Sequence, residues 1–326
     1  MLLTNRAVIR PTVAIATRRA SDDLREAIES VAHQQEGFAE PIETLLVAPG
    51  PEHAAIELIA APHRGRLALR LVDPGAAGLS RARNAAARAA TGDFIAFLDD
   101  DAVAMKGWLR ALAACFKDES DAGTAGGPIR LLWGTEPRPA WWRDGLDEAF
   151  NALDFGPLRR RLRYPQVLYG TNIAFRRAAL LDAGLFREDL GRAPGSLLGG
   201  EEAEAQLRLE RCGHRTVFDP KAVVLHRVAR ERLRPSYIRS RAFHHGRSHS
   251  LFERELFAAG RRGRLRRALR ASGLLLALPF SPRRHLVLEK DLLFEVGYLF
   301  EEAIGAFQRG APGAGRGLGE GGVARP

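Results

Sequence analysis

Three aspartates, Asp99, Asp100 and Asp101, directly follow the apolar run Phe94-Ile95-Ala96-Phe97-Leu98. Such a run reads as a buried strand that delivers negative charge to its C-terminal tip. In open α/β sheets that tip is where ligands bind. Carboxylates held there attract a hard divalent cation and, through it, a diphosphate. Upstream, Gly78-Leu79-Ser80-Arg81-Ala82-Arg83-Asn84 reads as a glycine-led turn into a helix, and a helix N-terminus carrying a guanidinium suits a phosphate. Downstream, Gly199-Gly200-Glu201-Glu202-Ala203-Glu204 is a loop entering a helix with paired carboxylates, one of which could act as a general base tuned by its neighbour. His226 closes the strand-like run Ala222-Val223-Val224-Leu225, and an imidazole and a carboxylate on strand ends can share a metal. Each feature alone has a plain alternative. Aspartate clusters make turns, first-turn glutamates complement a helix dipole, and strand-end histidines serve packing. Trp141-Trp142 offers either a platform for a sugar ring or ordinary packing.

These groups need elements to hold them. Val13-Ala14-Ile15-Ala16 reads as a first strand, and Ser21 caps a helix with Leu24, Ala27, Ile28 and Val31 on one face. Thr44-Leu45-Leu46-Val47 is a second strand, stopped by Ala48-Pro49-Gly50-Pro51. Residues 52–60 read as a helix, 67–72 as a third strand, and Ser80 begins an alanine-rich helix ahead of the Phe94 strand. Strands alternating with helices at this spacing predict an α/β fold with a mostly parallel sheet and helices on both faces. Residues 121–165 look irregular, 166–175 resume strand character, 201–212 form a helix, and 216–218 and 222–225 are short strands. From about Leu233 the pattern is helical and basic, through an arginine-rich stretch at 261–270, an apolar one at 273–280 and an amphipathic one at 285–307. The expected division is an N-terminal lead at 1–11, a catalytic domain at 12–230, a basic helical extension at 231–307 and a disordered Gly/Pro-rich tail at 308–326.

The 326 residues carry a formal charge of +10, nearly all from arginine, since only Lys106, Lys117, Lys221 and Lys290 are lysines. That charge suits acidic substrates or an anionic membrane surface. The spacing of known nucleic-acid modules is absent, so no nucleic-acid partner is expected. Cys115 and Cys212 stand alone, which argues against a disulfide framework or a zinc site and fits a reducing cytosol. The N-terminus lacks the apolar core of a signal peptide, and no segment has membrane-spanning length. The basic tail could lie on the inner face of the plasma membrane, with residues 274–280 dipping into the interface, or pack against the sheet.

In order and spacing the motifs resemble those of the family-2 glycosyltransferases, nucleotide-sugar enzymes of the GT-A fold. The resemblance runs from about Pro11 to Val228. Gly78 to Asp101 is similar to that family's G-x-S-x-A-R-N helix and D-x-D strand. Gly170-Thr171-Asn172-Ile173-Ala174-Phe175-Arg176-Arg177 is similar to its G-x-N-x-A-F-R-R segment, and Leu181-Asp182-Ala183-Gly184-Leu185-Phe186 to the G-x-F turn. The stretch from Gly200 to Gly213 resembles the G-E-D element, and Asp219-Pro220-Lys221-Ala222-Val223-Val224-Leu225-His226 the closing P-x-A-x-V-x-H.

The resemblance implies roles. Asp99 would sit near the nucleotide ribose, with Asp100 a spacer. Asp101, with His226, would ligate Mn²⁺ or Mg²⁺ bridging the diphosphate. Thr17 and Arg83 would lie on the donor side, Glu202 would be the catalytic base, and Trp141, Trp142, Asn172 and Glu201 would face the acceptor. The implied partners are a nucleotide-sugar donor and a saccharide or lipid-linked acceptor, in bacterial cell-surface polysaccharide or glycolipid synthesis. The sequence departs from the family pattern at Ala16-Thr17-Arg18-Arg19, where P-T-x-N is usual. It departs again at Ala48-Pro49-Gly50, which lacks the usual second-strand carboxylate, and at Glu202, where an aspartate is usual. Two rival readings are a sugar-phosphate nucleotidyltransferase and a catalytically degenerate basic binding protein. The first would want a glycine-rich loop where Thr17-Arg18-Arg19-Ala20 has none.

Overall fold

A computed structural model of the chain describes residues 9–134, 138–256, 261–281 and 284–310. Residues 1–8 of the expected lead and 311–326 of the expected tail lie outside the described residues. By contacts the chain divides into two compact units, Met1–Arg241 and Ala242–Pro326.

The first unit opens as the alternation predicts: β1 (Pro11–Ala16), α1 (Asp22–Ala32), β2 (Ile42–Val47), α2 (His53–Ala60), β3 (Leu67–Val72), α3 (Leu79–Ala89) and β4 (Phe94–Asp99). Ser21 caps α1, its hydroxyl accepting from the Leu24 N–H at 3.1 Å. There follow β5 (Ala102–Ala104), α4 (Trp108–Asp118), β6 (Ala122–Gly126), β7 (Ile129–Leu132) and β8 (Arg160–Leu162). The unit continues through β9 (Asn172–Arg176), α5 (Arg177–Asp182), α6 (Glu201–Arg211), β10 (Arg215–Phe218) and β11 (Val224–Arg227).

Eight strands form one sheet in the order β3-β2-β1-β4-β9-β6-β10-β8. β3, β2, β1 and β4 run parallel, and β9 is antiparallel to both β4 and β6. A second, three-stranded sheet has the order β5-β11-β7. Both faces of the large sheet are covered. Val13, Ile15, Phe94, Ala96 and Leu98 pack with Leu24 and Ile28 of α1 and with Trp108, Leu112 and Phe116 of α4. Ala14, Ile95, Phe97 and Phe175 pack with Ala82 and Ala86 of α3, Leu180 of α5 and Leu209 of α6. Burial on both faces explains why the strands read as continuous apolar runs.

Three sequence expectations are corrected. Residues 121–165 are not irregular throughout, since they contain β6, β7 and β8. The expected strand at 166–175 begins only at Asn172, because the Gln206 side chain takes up the Leu168 N–H (2.8 Å) and C=O (2.9 Å) that a ladder would use. The strand expected at 222–225 runs instead from Val224 to Arg227, with His226 near its end as expected; the Ala222 N–H closes a turn on the Asp219 carbonyl at 3.0 Å, which delays the strand.

The second unit is helical, with most of α7 (Pro235–Leu256), then α8 (Arg261–Ala277) and α9 (His285–Gly310). A Cβ at Gly246 of α7 would lie 1.9 Å from the Phe294 carbonyl of α9, and one at Gly297 2.0 Å from that of Phe243, so these glycines let the two backbones touch. Arg267 of α8 pairs with Glu295 (3.0 Å) and Glu253 (3.1 Å) and lies over the Tyr298 ring at 3.7 Å. Among the described residues no helix is long and apolar enough to cross a membrane.

Candidate active site

The parallel register puts Asp99, last residue of β4, beside Ala16 at the end of β1. The chain then turns through Asp100 and Asp101 into β5, which pairs with β11 so that Ala102 faces His226. One strand end thereby delivers carboxylates and a second sheet delivers an imidazole. Asp99, Asp101 and His226 each offer a ligand atom, and these atoms all lie within 4.8 Å of one another.

The hydrogen bonds around this cluster fix its chemistry. His226 is 2% exposed, and its Nδ1 lies 2.8 Å from the Phe150 carbonyl, which can only accept. Nδ1 therefore carries the proton, and Nε2 is left facing the Asp101 carboxylate at 3.3 Å. Two carboxylates and a neutral imidazole lone pair converging on one point repel unless a proton or a cation lies between them. Hard oxygens with one imidazole suit Mn²⁺ or Mg²⁺, and the carbonyl behind the histidine is the outer partner that a metal-binding imidazole requires. When a proton takes that place, burial works against it, but the Asp101 carboxylate raises His226 above its usual range. Burial opposes the Asp101 charge too, yet the protonated Nε2, with the Arg232 charge 3.8 Å away, holds Asp101 below its usual range. Burial pushes Asp100, expected to be a spacer, up to about 6, against a 2.6 Å hydrogen bond from the Thr17 hydroxyl. Thr17 thus props the aspartate turn from β1.

A second set of carboxylates stands on α6. Glu201 is 2% exposed and accepts from Arg83 Nη1 at 2.5 Å. Burial, and then the adjacent Glu202, push its carboxyl up to about 8. Arg83 is 3% exposed, lies against the edge-to-face pair of Phe97 (5.8 Å) and Phe186 (6.0 Å), and also approaches Asp99 at 3.6 Å. A Cβ at Gly170 would fall 2.2 Å from Arg83 Nη2, so only glycine admits the guanidinium there. The Gly170 N–H donates to Glu202 Oε1 at 3.3 Å, while the Thr171 hydroxyl donates to Asp99 at 2.6 Å. The short segment before β9 therefore joins the metal-type cluster to α6. The second oxygen of Glu202 is buried and has no hydrogen-bond partner among the described residues.

Other expected residues fall in different places. Asn172 is fully buried with its amide saturated, accepting from Trp108 Nε1 (2.8 Å) and donating to the carbonyls of Pro128 (3.0 Å) and Ala222 (2.7 Å). It braces the frame and cannot face an acceptor, a correction imposed by burial. Trp142 is 7% exposed, edge-to-face with Trp133 and tilted against Trp141 and Phe150, so it serves as packing, whereas Trp141 is half-buried. Arg83 and Glu201 engage each other inside the protein, away from solvent. The second strand indeed ends without a carboxylate. Instead Asp73, following β3, reaches across and accepts from the Gly50 N–H at 3.0 Å and the Gly75 N–H at 2.8 Å. Sequence reasoning passed over Thr171, Arg232 and Gly170, although Gly170 and Thr171 stand inside a motif it used.

Known proteins resemble this chain in sequence and in fold. Residues 12–183 match the model of the family described as glycosyl transferase family 2. The glucosyl-dolichyl phosphate glucuronosyltransferase of Haloferax volcanii is 29% identical over 175 residues, 52% of this chain and 54% of that protein. The succinoglycan biosynthesis protein ExoM of Rhizobium meliloti is 28% identical over 230 residues, 65% of this chain and 70% of that protein. The chain thus spans about half the length of the Haloferax protein. Among solved structures, the mannosyltransferase PcManGT from Pyrobaculum calidifontis, in complex with GDP-Man and Mn²⁺, superposes with a TM-score of 0.57 at 18% identity, over 91% of this chain and 88% of that one, which shows a shared GT-A fold. With just over half of its length matched by the family model, the chain belongs to glycosyl transferase family 2.

Proposed function

We propose that the protein is a metal-dependent, inverting glycosyltransferase that moves a sugar from a nucleotide-diphosphate donor to an acceptor hydroxyl. The observation that carries the reading is the pairing of two unlike sites through one segment. The cation-type cluster Asp99, Asp101 and His226 is joined by Gly170-Thr171 to Glu202, whose second oxygen is buried and unpaired. Asp101 and His226, with Asp99, would hold Mn²⁺ or Mg²⁺. A cation there supplies charge neutralisation for the departing diphosphate. Glu202 takes the proton of the acceptor hydroxyl as its oxygen attacks the anomeric carbon from the face opposite the diphosphate. Because the Gly170 N–H engages only Oε1, Oε2 stays available for that proton. Glu201 and Arg83 hold the base in place from behind, and Thr171 orients Asp99 toward the donor. The relatives' names, a dolichyl-phosphate enzyme and a succinoglycan biosynthesis protein, support a place in glycolipid or cell-surface polysaccharide synthesis.

Peripheral attachment to the cytoplasmic face of a membrane belongs to the same proposal. On α8, Leu265, Leu269 and Leu276 recur along one face at 61%, 65% and 72% exposure, with Phe280 beyond at 86%. Exposed Arg266 and Arg270 flank them. Apolar side chains rimmed by guanidinium groups suit an anionic interface. The central test is a thermal-shift titration of the full chain with nucleoside diphosphates, with and without Mn²⁺. Wild type is expected to be stabilised by one nucleotide in a metal-dependent way. Asp101→Asn is expected to weaken the metal requirement's midpoint by about 100-fold and to abolish transfer. Full transfer by that variant, or by wild type in excess chelator, refutes the reading.

A further inference from the structure

We infer that His245 and His249 of α7 form a further metal site, a chelating imidazole pair for a transition-metal dication of the Zn²⁺ or Ni²⁺ type. The inference is independent of the sugar-transfer reading and concerns the helical unit alone.

The two histidines stand four residues apart in His245-Gly246-Arg247-Ser248-His249, so they project from successive turns on one face of the helix. Their Nε2 atoms lie 3.1 Å apart. Two imidazole nitrogens that ligate one cation at about 2.0–2.1 Å stand roughly 2.9–3.4 Å from each other, for angles between square and tetrahedral. The pair therefore already has the bite of a chelate. Without a cation, one Nε2 must carry a proton and donate it to the other.

Both rings are held in that geometry. His245 and His249 lie edge-on to Phe294 of α9, with centroids 5.4 and 5.2 Å away, and His249 also leans on Phe252 at 4.8 Å. Gly246, between them, is where the α7 backbone meets the Phe294 carbonyl, so the backbone under the pair is fixed as well. On the other side of His249, Glu253 Oε1 lies 3.6 Å from Nδ1, and Arg267 pairs with Glu253 at 3.1 Å. An ionised carboxylate only accepts, which favours the proton on Nδ1 and leaves the His249 Nε2 lone pair directed at His245. Glu253 is thus the outer partner that ligating histidines commonly have. His245 is exposed and His249 half-buried, so the remaining coordination positions open to solvent.

The donor atoms decide which ion is taken. The cluster at Asp99, Asp101 and His226 offers two carboxylates and one imidazole. The α7 pair offers two imidazole nitrogens, which suit Zn²⁺, Ni²⁺ or Cu²⁺ and reject Mg²⁺, a cation that demands oxygen. Histidines at this spacing also occur in the H-E-x-x-H zinc motif. Gly246 stands where that motif has its glutamate, so the α7 pair binds without a general base. A bound ion links two turns of α7 beside its contact with α9 and stabilises the helical unit.

The test is calorimetric titration of the full chain with Ni²⁺ and with Zn²⁺ in excess Mg²⁺, alongside His245→Gln, His249→Gln and Asp101→Asn. Wild type and Asp101→Asn are expected to share one Ni²⁺-binding step of equal affinity, and Ni²⁺ is expected to raise the Tm of both. Each histidine variant is expected to weaken that step at least about tenfold, since even an outer partner of a ligand is worth about 10–100-fold. His245 is exposed, so His245→Gln is expected to keep the metal-free Tm and decides the matter should His249→Gln fold poorly. Unchanged Ni²⁺ affinity in His245→Gln overturns the inference. Loss of all Ni²⁺ binding in Asp101→Asn also overturns it, by assigning the ion to the aspartate cluster, and so does a wild type that binds neither Ni²⁺ nor Zn²⁺.

Discussion

Replacing Asn172 with alanine separates bracing the site from touching a ligand. The side chain has no exposed surface, and its amide makes three hydrogen bonds, at 2.8, 3.0 and 2.7 Å, to Trp108, Pro128 and Ala222. Each such bond contributes about 1 kcal/mol net, and a buried donor left without an acceptor, here the Trp108 indole N–H, costs about 1–3 kcal/mol. The loss is therefore about 3–5 kcal/mol, a large share of the roughly 5–15 kcal/mol that holds a domain together. The damage is directed. Pro128 precedes β7 and Ala222 precedes β11, the parallel pair in which His226 lies opposite Leu131. Urea unfolding followed by tryptophan fluorescence should show the midpoint falling sharply, while the acceptor KM of the folded fraction stays at the wild-type value. A loss of stability below about 1 kcal/mol together with a tenfold rise in acceptor KM would refute the bracing role and return Asn172 to the acceptor.

Two further outcomes follow from the same geometry. Glu201 titrates near 8 in the native protein against 4.5 for an unperturbed glutamate, so the native state binds the extra proton and wild-type stability falls as pH rises across that window. Glu201→Gln keeps the shape without that proton, so its Tm relative to wild type should climb between pH 5 and pH 8; a constant difference rules out the raised carboxyl. On α8, the double change Leu276→Glu and Phe280→Glu removes two side chains of 72% and 86% exposure that would enter the interface. It should cut co-sedimentation with phosphatidylglycerol vesicles at least about tenfold, since each such side chain contributes about 1.5–3 kcal/mol when buried, and unchanged sedimentation would dismiss the docking face.

Legibility in the sequence followed burial. β1 to β4 were readable because helices cover both faces of the sheet and force unbroken apolar runs, as in Phe94 to Leu98. β6 was not, because Ala122-Gly123-Thr124-Ala125-Gly126 lacks large side chains, and its position between β9 and β10 demands small ones. A Cβ at Gly126 would lie 2.5 Å from the Asn172 carbonyl, and one at Gly123 2.6 Å from the His214 side chain. α4 carried a readable apolar face in Trp108, Leu109, Leu112, Cys115 and Phe116, but it starts at Gly107 with no side-chain cap to announce it. Among site residues, Asp101 and His226 were legible as a pair because one ends the D-x-D and the other closes P-x-A-x-V-x-H, whereas Asp99, expected near the ribose, joins their cluster only in the fold. Arg83 shows the opposite case. Its type and position suggested a phosphate, but its partner Glu201 lies 118 residues away, and only the fold shows that the pair is buried, with Arg83 against two phenylalanine rings.

The second strand shows how such a departure can mislead when each position is judged alone. Ala48-Pro49-Gly50 offers no carboxylate where the family has one, which by itself suggests an emptied nucleoside pocket. In a parallel sheet, however, neighbouring strands end side by side. β2 and β3 pair from Ile42 opposite Leu67 to Val47 opposite Val72, and the Ala48 N–H continues the ladder to the Val72 carbonyl at 3.0 Å. Asp73 is the next residue, and its carboxylate lies against the Gly50 N–H. The acid is thus absent from the second strand yet present at its tip, supplied by the third. A carboxylate's place in a strand-end site is set by sheet register as much as by sequence position. Gly50 permits the approach because a Cβ there would meet Asp73 Oδ2 at 2.8 Å.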